Sequence, residues 1–459
     1  MTISPALKKN SGLGLQPASA WTAILGFVIL TSLLIVVGGG RILNLIFPAG
    51  AFAVGVFLYF RTPILYIGFS WWVCLLTPFV RRLADYRSGF TDPSPMLLAP
   101  YLVALVSLIT LWKHLPTTYK QGGLPFILSI AGVLYGIAIG FVLHSPVQVA
   151  VAALDWLAPV LFGFHLFTNW RNYPSYRQNL QRIFIWGVFV MGVYGVVQYL
   201  IAPEWDRFWL ISIELTSMGT PEPRGIRVWS TLNSPEPFAG IMAGGLLLLF
   251  NSQSVVSLPA AIAGYLSFLL CGVRSGWLGW GAGLLSLVTS LKPKFQMRLV
   301  IAVLIMSLCV VPLVTIEPFS GSIVSRLETF SNVQDDVSAN ERRELYRVTL
   351  NSALTNVVGG GISGAKIDSA LLLMLMELGW IGMLAYSSGI LLLVFKLSTQ
   401  STPGSDPFMS TARAIVLTAL VRFPLNVPML GVSGLLFWTF LAIGLAGGKY
   451  HQYQQAMDT

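Results

Sequence analysis

Charged side chains are scarce in this chain. Only 10% of its 459 residues are Asp, Glu, Lys or Arg, whereas 55% are hydrophobic and the mean hydropathy is +0.74. Soluble globular domains carry about 25% charged residues, which solvate their surfaces. The shortage of charge therefore excludes a soluble globular protein.

Cysteine and histidine are also rare. The three cysteines, Cys74, Cys271 and Cys309, all fall within apolar blocks, where a thiol is usually a packing residue. The four histidines are scattered singly, without HExxH or another metal-ligand spacing. We therefore expect no disulfide framework, no protein metal site and no cofactor.

Long apolar blocks dominate the chain instead. They run for roughly 17–25 residues, the length that a helix needs to cross a bilayer. No small-residue cleavage site follows the first block, so we expect an uncleaved first span rather than a signal peptide. The sequence predicts an all-α polytopic membrane protein with about 12–14 transmembrane helices in one domain, residues 1–459. The predicted spans are 21–37, 42–60, 64–80, 96–112, 124–143, 148–168, 183–202, 238–250, 255–273, 275–290, 299–316, 370–395, 411–428 and 431–447.

Basic residues are distributed unevenly among the connections. With both termini in the cytoplasm, fourteen of the 28 basic residues lie in cytoplasmic segments that contain only two acids, Asp406 and Asp458. Two long loops, 203–237 and 317–369, then emerge outside and hold twelve of the 18 acids. The net charge of +10 thus reflects topology, and dispersed basic residues of this kind do not predict nucleic-acid binding.

The outer basic residues are almost all arginine. Twelve of thirteen are Arg, and only Lys366 is Lys. Three of them, Arg81, Arg82 and Arg87, break the positive-inside rule. Structural ion pairs would explain part of this bias. Because guanidinium matches phosphate oxygens bidentately, the functional interpretation is an anionic, phosphate-bearing ligand at the outer face.

Three charged residues lie inside predicted spans, where they are expensive. Glu377 and Arg422 belong to consecutive antiparallel spans, both roughly 10 Å below the outer surface at 1.5 Å per residue. We expect them to form an ion pair, either as a structural pair or as part of an active cavity. Asp155 reaches a similar depth, and a cavity open to the outside would account for all three.

Polar residues crowd the outer ends of two spans. Arg224, Arg227, Asn233 and Glu236 occupy one short stretch where the chain re-enters the membrane, and two arginines beside a helix start suit an anion site. Arg274 lies in the tight turn Cys-Gly-Val-Arg-Ser-Gly-Trp, whose glycines permit close approach. A lone interfacial arginine is otherwise often a headgroup anchor.

The second outer loop contains a helix signal. A capping box at 338–341 predicts an amphipathic helix through about residue 357, with Arg343 and Arg347 on one face. The helix should end at a backbone-exposed glycine turn, 359–364. It is either a solvated surface helix or, as we favour, a helix that binds phosphate at the opening of a cavity.

Three segments in this order resemble the O-antigen ligase and polymerase superfamily of bacterial envelope glycan assembly. The first is Arg227-Val-Trp-Ser-Thr-Leu-Asn233 leading into Phe238-Ala-Gly-Ile. The second is Arg274-Ser-Gly-Trp-Leu-Gly. The third joins the arginine helix to the stretch that runs from Asp368 to Gly382. Together they cover roughly residues 225–385, about a third of the chain.

The resemblance implies a GT-C-like bundle in the bacterial inner membrane, with its long loops in the periplasm. The implied activity is metal-independent polymerisation or ligation of undecaprenyl-pyrophosphate-linked oligosaccharides for O-antigen or exopolysaccharide. The lipid-linked oligosaccharide and the bilayer are the implied partners, together with a chain-length regulator and a flippase. The implied catalytic residues are Asp368, Arg274, Arg343 and Arg347, and the implied substrate-binding residues are Arg224, Arg227, Asn233, Glu236, Glu377 and Arg422.

Asp368 departs from the pattern of ligases that act on lipid A core, which usually carry His at this position. Ser369 likewise replaces their usual Asn. The departure favours a polymerase with Asp368 as the general base. The alternatives are a ligase to another acceptor, a transporter of a small anion such as inorganic carbon, and a non-catalytic scaffold. Discontinuous helices with charges at the midplane would favour the transporter.

Overall fold

The computed structural model describes residues 17–290, 296–297, 300, 337–365, 367–400 and 406–458. Most of the predicted span 299–316, the first part of the second long loop (317–336), Cys309 and Lys366 lie outside these residues. The structure is 81% helical, and the described residues contain no β-strand.

Sixteen α-helices make up the described part of the chain. They are α1 (Ala18–Val36), α2 (Gly40–Arg61), α3 (Pro63–Ser88), α4 (Ala99–Leu105), α5 (Leu108–Thr118), α6 (Leu124–Leu143), α7 (Pro146–Thr168), α8 (Tyr173–Ile201), α9 (Glu204–Ile213), α10 (Pro235–Leu249), α11 (Ser257–Leu270), α12 (Arg274–Ser290), α13 (Val337–Thr355), α14 (Ala370–Thr399), α15 (Pro407–Arg422) and α16 (Gly431–Asp458). Nine helical segments in the described residues are long and apolar enough to cross a membrane, and α10 and α11 are shorter apolar helices. The predicted all-α polytopic class is confirmed.

The helix starts follow from local sequence. Proline stands in the first turn of α3, α6, α7, α10 and α15, where its missing amide is not needed. Three helix starts have side-chain caps: Ser145 accepts a bond from Gln148 N, Ser369 accepts one from Leu372 N, and Asp406 accepts one from Phe408 N. The apolar blocks therefore begin where proline or a cap ends the preceding turn.

Successive spans run in opposite directions, so their connections lie at two ends of the bundle. We call the end that carries α9 and α13 the loop face. It also carries the ends of α3, α8 and α15 and the starts of α7, α10, α12, α14 and α16. The first long loop and the described part of the second thus meet at one end, as the alternation of the spans predicts.

Helix α16 is the central helix, because 89% of its most apolar stretch of 18 residues is buried. Glycines allow the closest helix pairs to approach. A Cβ at Gly132 of α6 would lie 2.6 Å from Gly382 O of α14, and one at Gly163 of α7 would lie 2.8 Å from Trp438 O of α16. Small residues at interfaces are typical of membrane helix packing.

Candidate functional site

A buried ion pair fixes the first long loop to the bundle. Arg82 Nε lies 2.7 Å from Asp206 Oδ1, and both side chains are wholly inaccessible. The other guanidinium nitrogens donate to Ser230 O and Leu232 O. Arg81 is also buried and pairs with Asp85 at 3.1 Å. These two adjacent arginines are therefore neutralised by acids at the loop face.

The same network orders the chain as it re-enters the bundle. Asp206 Oδ2 accepts bonds from Tyr194 Oη at 2.6 Å and Gln198 Nε2 at 2.9 Å. The side-chain oxygen of Gln198, Oε1, accepts hydrogen bonds from the backbone amides of Trp229 and Ser230. Asp206, Tyr194 and Gln198 all lie on helices, so they hold segment 229–232 in a fixed position.

Glu236 is the ion-pair partner of Arg422. The Arg422 side chain is 2% exposed, the Glu236 side chain is 34% exposed, and Nη2 of the arginine bonds Oε1 of the glutamate. Glycines on both flanking helices make room, because a Cβ at Gly240 would lie 2.7 Å from Arg422 Nη1 and one at Gly279 would lie 3.0 Å from Cδ. The ion pair expected between Glu377 and Arg422 is therefore wrong.

Glu377 binds neutral donors instead. Its Oε2 accepts Trp156 Nε1 at 3.1 Å, and its Oε1 accepts the amides of Ser363 and Ala365 at 3.1 and 3.0 Å. The Ser363 hydroxyl adds a fourth bond at 3.3 Å. The carboxylate therefore anchors the end of the second long loop to α14. At 1.5 Å per residue, this contact lies roughly 10 Å below the loop face.

The glycine segment after α13 is buried, so the predicted backbone-exposed turn is wrong. Gly359 and Gly361 are buried, and Ile362 is fully inaccessible between α6 and α14. Ile362 N donates to Gly136 O at 2.9 Å, and Gly360 N donates to Met376 O at 2.6 Å. We call residues 356–365 the re-entrant segment, since they dip into the bundle and return to Asp368.

Helix α14 is broken where the re-entrant segment meets it. Gly379 has φ 59° and ψ −173°, which interrupts the helical hydrogen bonds. The segment supplies replacements on either side of the break: Met376 O accepts Gly360 N, and Ile381 N donates to Val357 O at 3.4 Å. Backbone that leaves the helix at membrane depth is tolerated here because protein covers it.

A cavity of about 520 Å³ lies among α3, α4, α7, α10 and α16. The polar side chains that line it include Tyr101, Asp155, Asn233, Glu236 and Ser433. The Tyr101 hydroxyl lies against the Asp155 carboxylate, and both atoms are within 4 Å of where a Cβ on Gly431 would be. Of the three charged residues for which a shared cavity was expected, only Asp155 lines this one, together with Glu236.

Arg227 is engaged with backbone at the α11–α12 turn. Its guanidinium donates to Ser217 O at 2.7 Å, to Gly272 O at 3.2 Å and to Cys271 O at 3.3 Å. Arg274, half-buried, is the first residue of α12 in the same turn. Arg224 is exposed, with φ +70°. Arg227 therefore positions the turn that carries Arg274.

Helix α13 carries the remaining predicted arginines. Arg343 is exposed, and the Arg347 side chain, 77% exposed, forms two 2.9 Å bonds to Glu344. The neighbouring guanidinium lowers the pKa of Glu344. Tyr346 fastens the helix, since its hydroxyl bonds Ser369 Oγ at 2.6 Å and Pro424 O at 3.0 Å. Helix α13 therefore lies beside the start of α14.

Asp368, the predicted base, is exposed at the start of α14, within electrostatic range of Glu236. The structure therefore gathers Asn233, Glu236, Arg422 and Asp368 at one place. Glu377 bonds other residues but lies within electrostatic range of Asp155, and Arg347 is paired within its own helix.

Tyr101, Ser433 and the Arg82–Asp206 pair were not predicted as parts of the site. An aromatic or a serine within an apolar span carries no sequence signal that distinguishes a cavity wall from packing. The adjacent arginines at positions 81 and 82 could have indicated buried ion pairs in the sequence, because buried charges require partners.

The described residues contain no group of three or more His, Cys, Asp or Glu that could hold a metal ion. The chain matches no protein-family model, and no curated protein matches it significantly.

Proposed function

We propose that this protein is a membrane glycosyltransferase. It polymerises, or ligates, oligosaccharides carried on undecaprenyl pyrophosphate, with its loop face on the outer side of a bacterial inner membrane. The observation that supports this most is the Arg422–Glu236 pair, whose glutamate lines the 520 Å³ cavity, with Asp368 nearby. Carboxylates and guanidinium groups thus meet beside one cavity within the bundle.

The chemistry requires both kinds of group. The acceptor hydroxyl oxygen attacks the anomeric carbon, and the bond from that carbon to the pyrophosphate oxygen breaks. The bonding pair leaves with the lipid pyrophosphate, and the hydroxyl proton passes to a carboxylate. Asp368, exposed at the start of α14, is the proposed general base. Positioned arginines stabilise the growing charge of the leaving group.

Arg274 and Arg343 are the proposed pyrophosphate ligands. Arg274 begins α12 one turn and a half from Gly279, which contacts Arg422, and Arg343 is exposed on α13. Arg227 acts through Arg274 by holding the α11–α12 turn. Arg347 forms an ion pair with Glu344, so it contributes less to pyrophosphate binding than Arg343 does. A bidentate guanidinium suits a pyrophosphate better than a lysine does.

The apolar surface of α13 suits a lipid-borne substrate. Val348 is 66% exposed and Leu354 is 43% exposed on a helix that otherwise carries charge. Trp380 Nε1 of α14 donates to Leu354 O at 2.8 Å, which holds this end of α13 beside the helix break. The polyprenyl tail would lie in the bilayer next to α13 while its pyrophosphate reaches the arginines.

The test replaces Arg274, Arg343 and Asp368 singly by Ala and examines the length distribution of envelope polysaccharide. Arg87→Ala and Glu222→Ala are matched controls, because both residues are exposed at the loop face and neither lines the cavity. We expect single-repeat material on the carrier in the three variants and long chains in the controls. Long chains in all three variants would overturn the proposed site.

Transport of a small anion is the second candidate, and the break in α14 at Gly379 favours it, since transporters use discontinuous helices. Against transport, protein rather than a water-filled path covers the break. Uptake of radiolabelled bicarbonate into proteoliposomes, without release of undecaprenyl pyrophosphate from a lipid-linked oligosaccharide, would support the transporter. Release of the carrier without uptake would support the transferase.

A further inference from the structure

The cavity contains a buried polar atom that the described residues leave without a partner. Asn233 Oδ1 is buried and has no hydrogen bond to any described residue. Ser433 is 6% exposed and lines the same cavity. Buried polar atoms in folded proteins are almost always satisfied. The cavity therefore suits a ligand that carries hydrogen-bond donors and acceptors.

The charges around the cavity restrict the class of ligand that it can bind. Asp155 contacts the Tyr101 hydroxyl and forms no ion pair with a described basic side chain, whereas Arg422 neutralises Glu236. The cavity therefore has an excess of negative charge. A pyrophosphate placed there would be repelled by Asp155, so the phosphates of a lipid-linked substrate belong outside it.

Neutral hydroxyl groups fit the same wall. A carboxylate accepts hydroxyl donors well, and hydrogen bonds to charged groups are stronger than those between neutral groups. The rings of Pro78, Pro100 and Pro237 provide apolar surface for the C–H faces of a sugar ring. A volume of about 520 Å³ lies within the ~300–1,000 Å³ range of small-molecule sites.

We infer that this cavity is a sugar subsite that binds a neutral pyranose unit through Asp155, Tyr101, Asn233 and Ser433. The inference rests on the proposed function, which it deepens by separating the substrate into two parts. The sugar enters the carboxylate-lined cavity, and the pyrophosphate remains with the arginines at the loop face. Asp155 binds and orients hydroxyl groups.

The experiment uses the full chain in nanodiscs and saturation-transfer NMR with two probes, methyl galactoside and methyl N-acetylglucosaminide. We expect transfer to ring protons of at least one probe in the wild type. Asp155→Asn should weaken binding about tenfold or more, because one charge-assisted hydrogen bond is lost. Tyr101→Phe should weaken it less. Asp458→Asn, at an exposed position that does not line the cavity, is the matched control.

Two outcomes overturn the inference: no transfer from either probe in the wild type, or equal transfer in wild type and Asp155→Asn. If Asp155→Asn does not fold, Tyr101→Phe and Ser433→Ala decide by the same criterion. Polysaccharide length in the same variants separates this inference from the proposed function. If the wild type binds sugar in a manner that depends on Asp155 but forms no polymer, the proposed function is wrong and the subsite stands. If Asp155→Asn forms polymer of normal length, the subsite is wrong and the proposed function stands.

Discussion

Arg82 and Asp206 form an ion pair that is wholly buried, although the two residues are 124 positions apart. The 2.7 Å contact joins α3 to α9, and the same guanidinium holds the carbonyls of Ser230 and Leu232. One arginine thereby connects three parts of the chain at the loop face. The site residues that follow in the sequence, Asn233 and Glu236, depend on this arrangement for their position.

Arg82→Ala should lower the free energy of unfolding by about 3–5 kcal/mol, because it leaves Asp206 buried and uncompensated. Denaturant titration of the purified protein in detergent measures the change. Arg87→Ala, at an exposed position on the same helix, should change it by less than about 0.5 kcal/mol. The double variant Arg82→Met with Asp206→Leu should recover much of the loss. A single variant as stable as the wild type would contradict the buried pair.

Gly379→Ala should disrupt the contact between α14 and the re-entrant segment. The residue has φ +59°, and an added Cβ would lie 2.3 Å from Gly359 N. Strain of this kind costs about 1–3 kcal/mol before the clash is counted. The control is Gly281→Ala on α12, where nothing lies within 4 Å of the new Cβ. Thermal unfolding should separate the two variants, and equal melting temperatures would refute the close contact.

Glu377→Ala should release the re-entrant segment without removing α14. The substitution removes the acceptor of the Ser363 and Ala365 amides and of Trp156 Nε1. Each bond to a charged group contributes about 1.5–3 kcal/mol. Hydrogen exchange at 363–365 should quicken markedly, while exchange in α16 should not change. Glu344→Ala, at an exposed position, is the control, and unchanged protection at 363–365 would contradict the anchor.

Glu236→Gln and Arg422→Met should each impair folding more than the double variant does. Arg422 is 2% exposed, so removing its partner leaves a buried charge. We expect the double variant to recover stability and still lack polymer, because the proposed reaction needs charge beside the cavity. Fluorescence-detected size exclusion reports folding, and polysaccharide length reports activity. Full activity in the folded double variant would remove Arg422 and Glu236 from the site.

Glu344 should titrate below the usual range near 4.5, because Arg347 stabilises its charged form. A lowered pKa in the folded state means that the pair contributes stability above pH 4.5, and this contribution is lost as pH falls through the lowered value. Carbon NMR of labelled glutamate measures the titration. In Arg347→Ala the pKa should return to its ordinary value, and an unchanged curve would contradict the pair.

Much of the architecture follows from the apolar blocks. Their length predicts the nine long apolar helices among the described residues, and their alternation predicts that both long loops share one end. Helix α13 was also predicted, from its capping box to within a few residues of its end. These features depend on local composition and on the thickness of a bilayer, which a sequence records directly.

The partners of the charges could not be predicted in the same way. Residue counting gave Glu377 and Arg422 the same depth, but depth does not specify which neighbouring helix a side chain faces. Arg422 faces α10 and meets Glu236, whereas Glu377 faces α7 and the re-entrant segment. The glycine run at 359–361 is likewise ambiguous, because the same residues suit a solvated helix end and a close backbone contact.

The break in α14 has a consequence for how the chain is assembled during synthesis. The ribosome produces residues 356–365 before α14, yet the segment can dock only when Met376 and Ile381 are in place to bond it. Until then its backbone groups need water, since an unsatisfied group in hydrocarbon costs several kcal/mol. The segment must therefore wait at the membrane surface while α14 inserts. Completion of this region is thus a late step of biogenesis, and a nascent chain truncated before residue 381 would lack it.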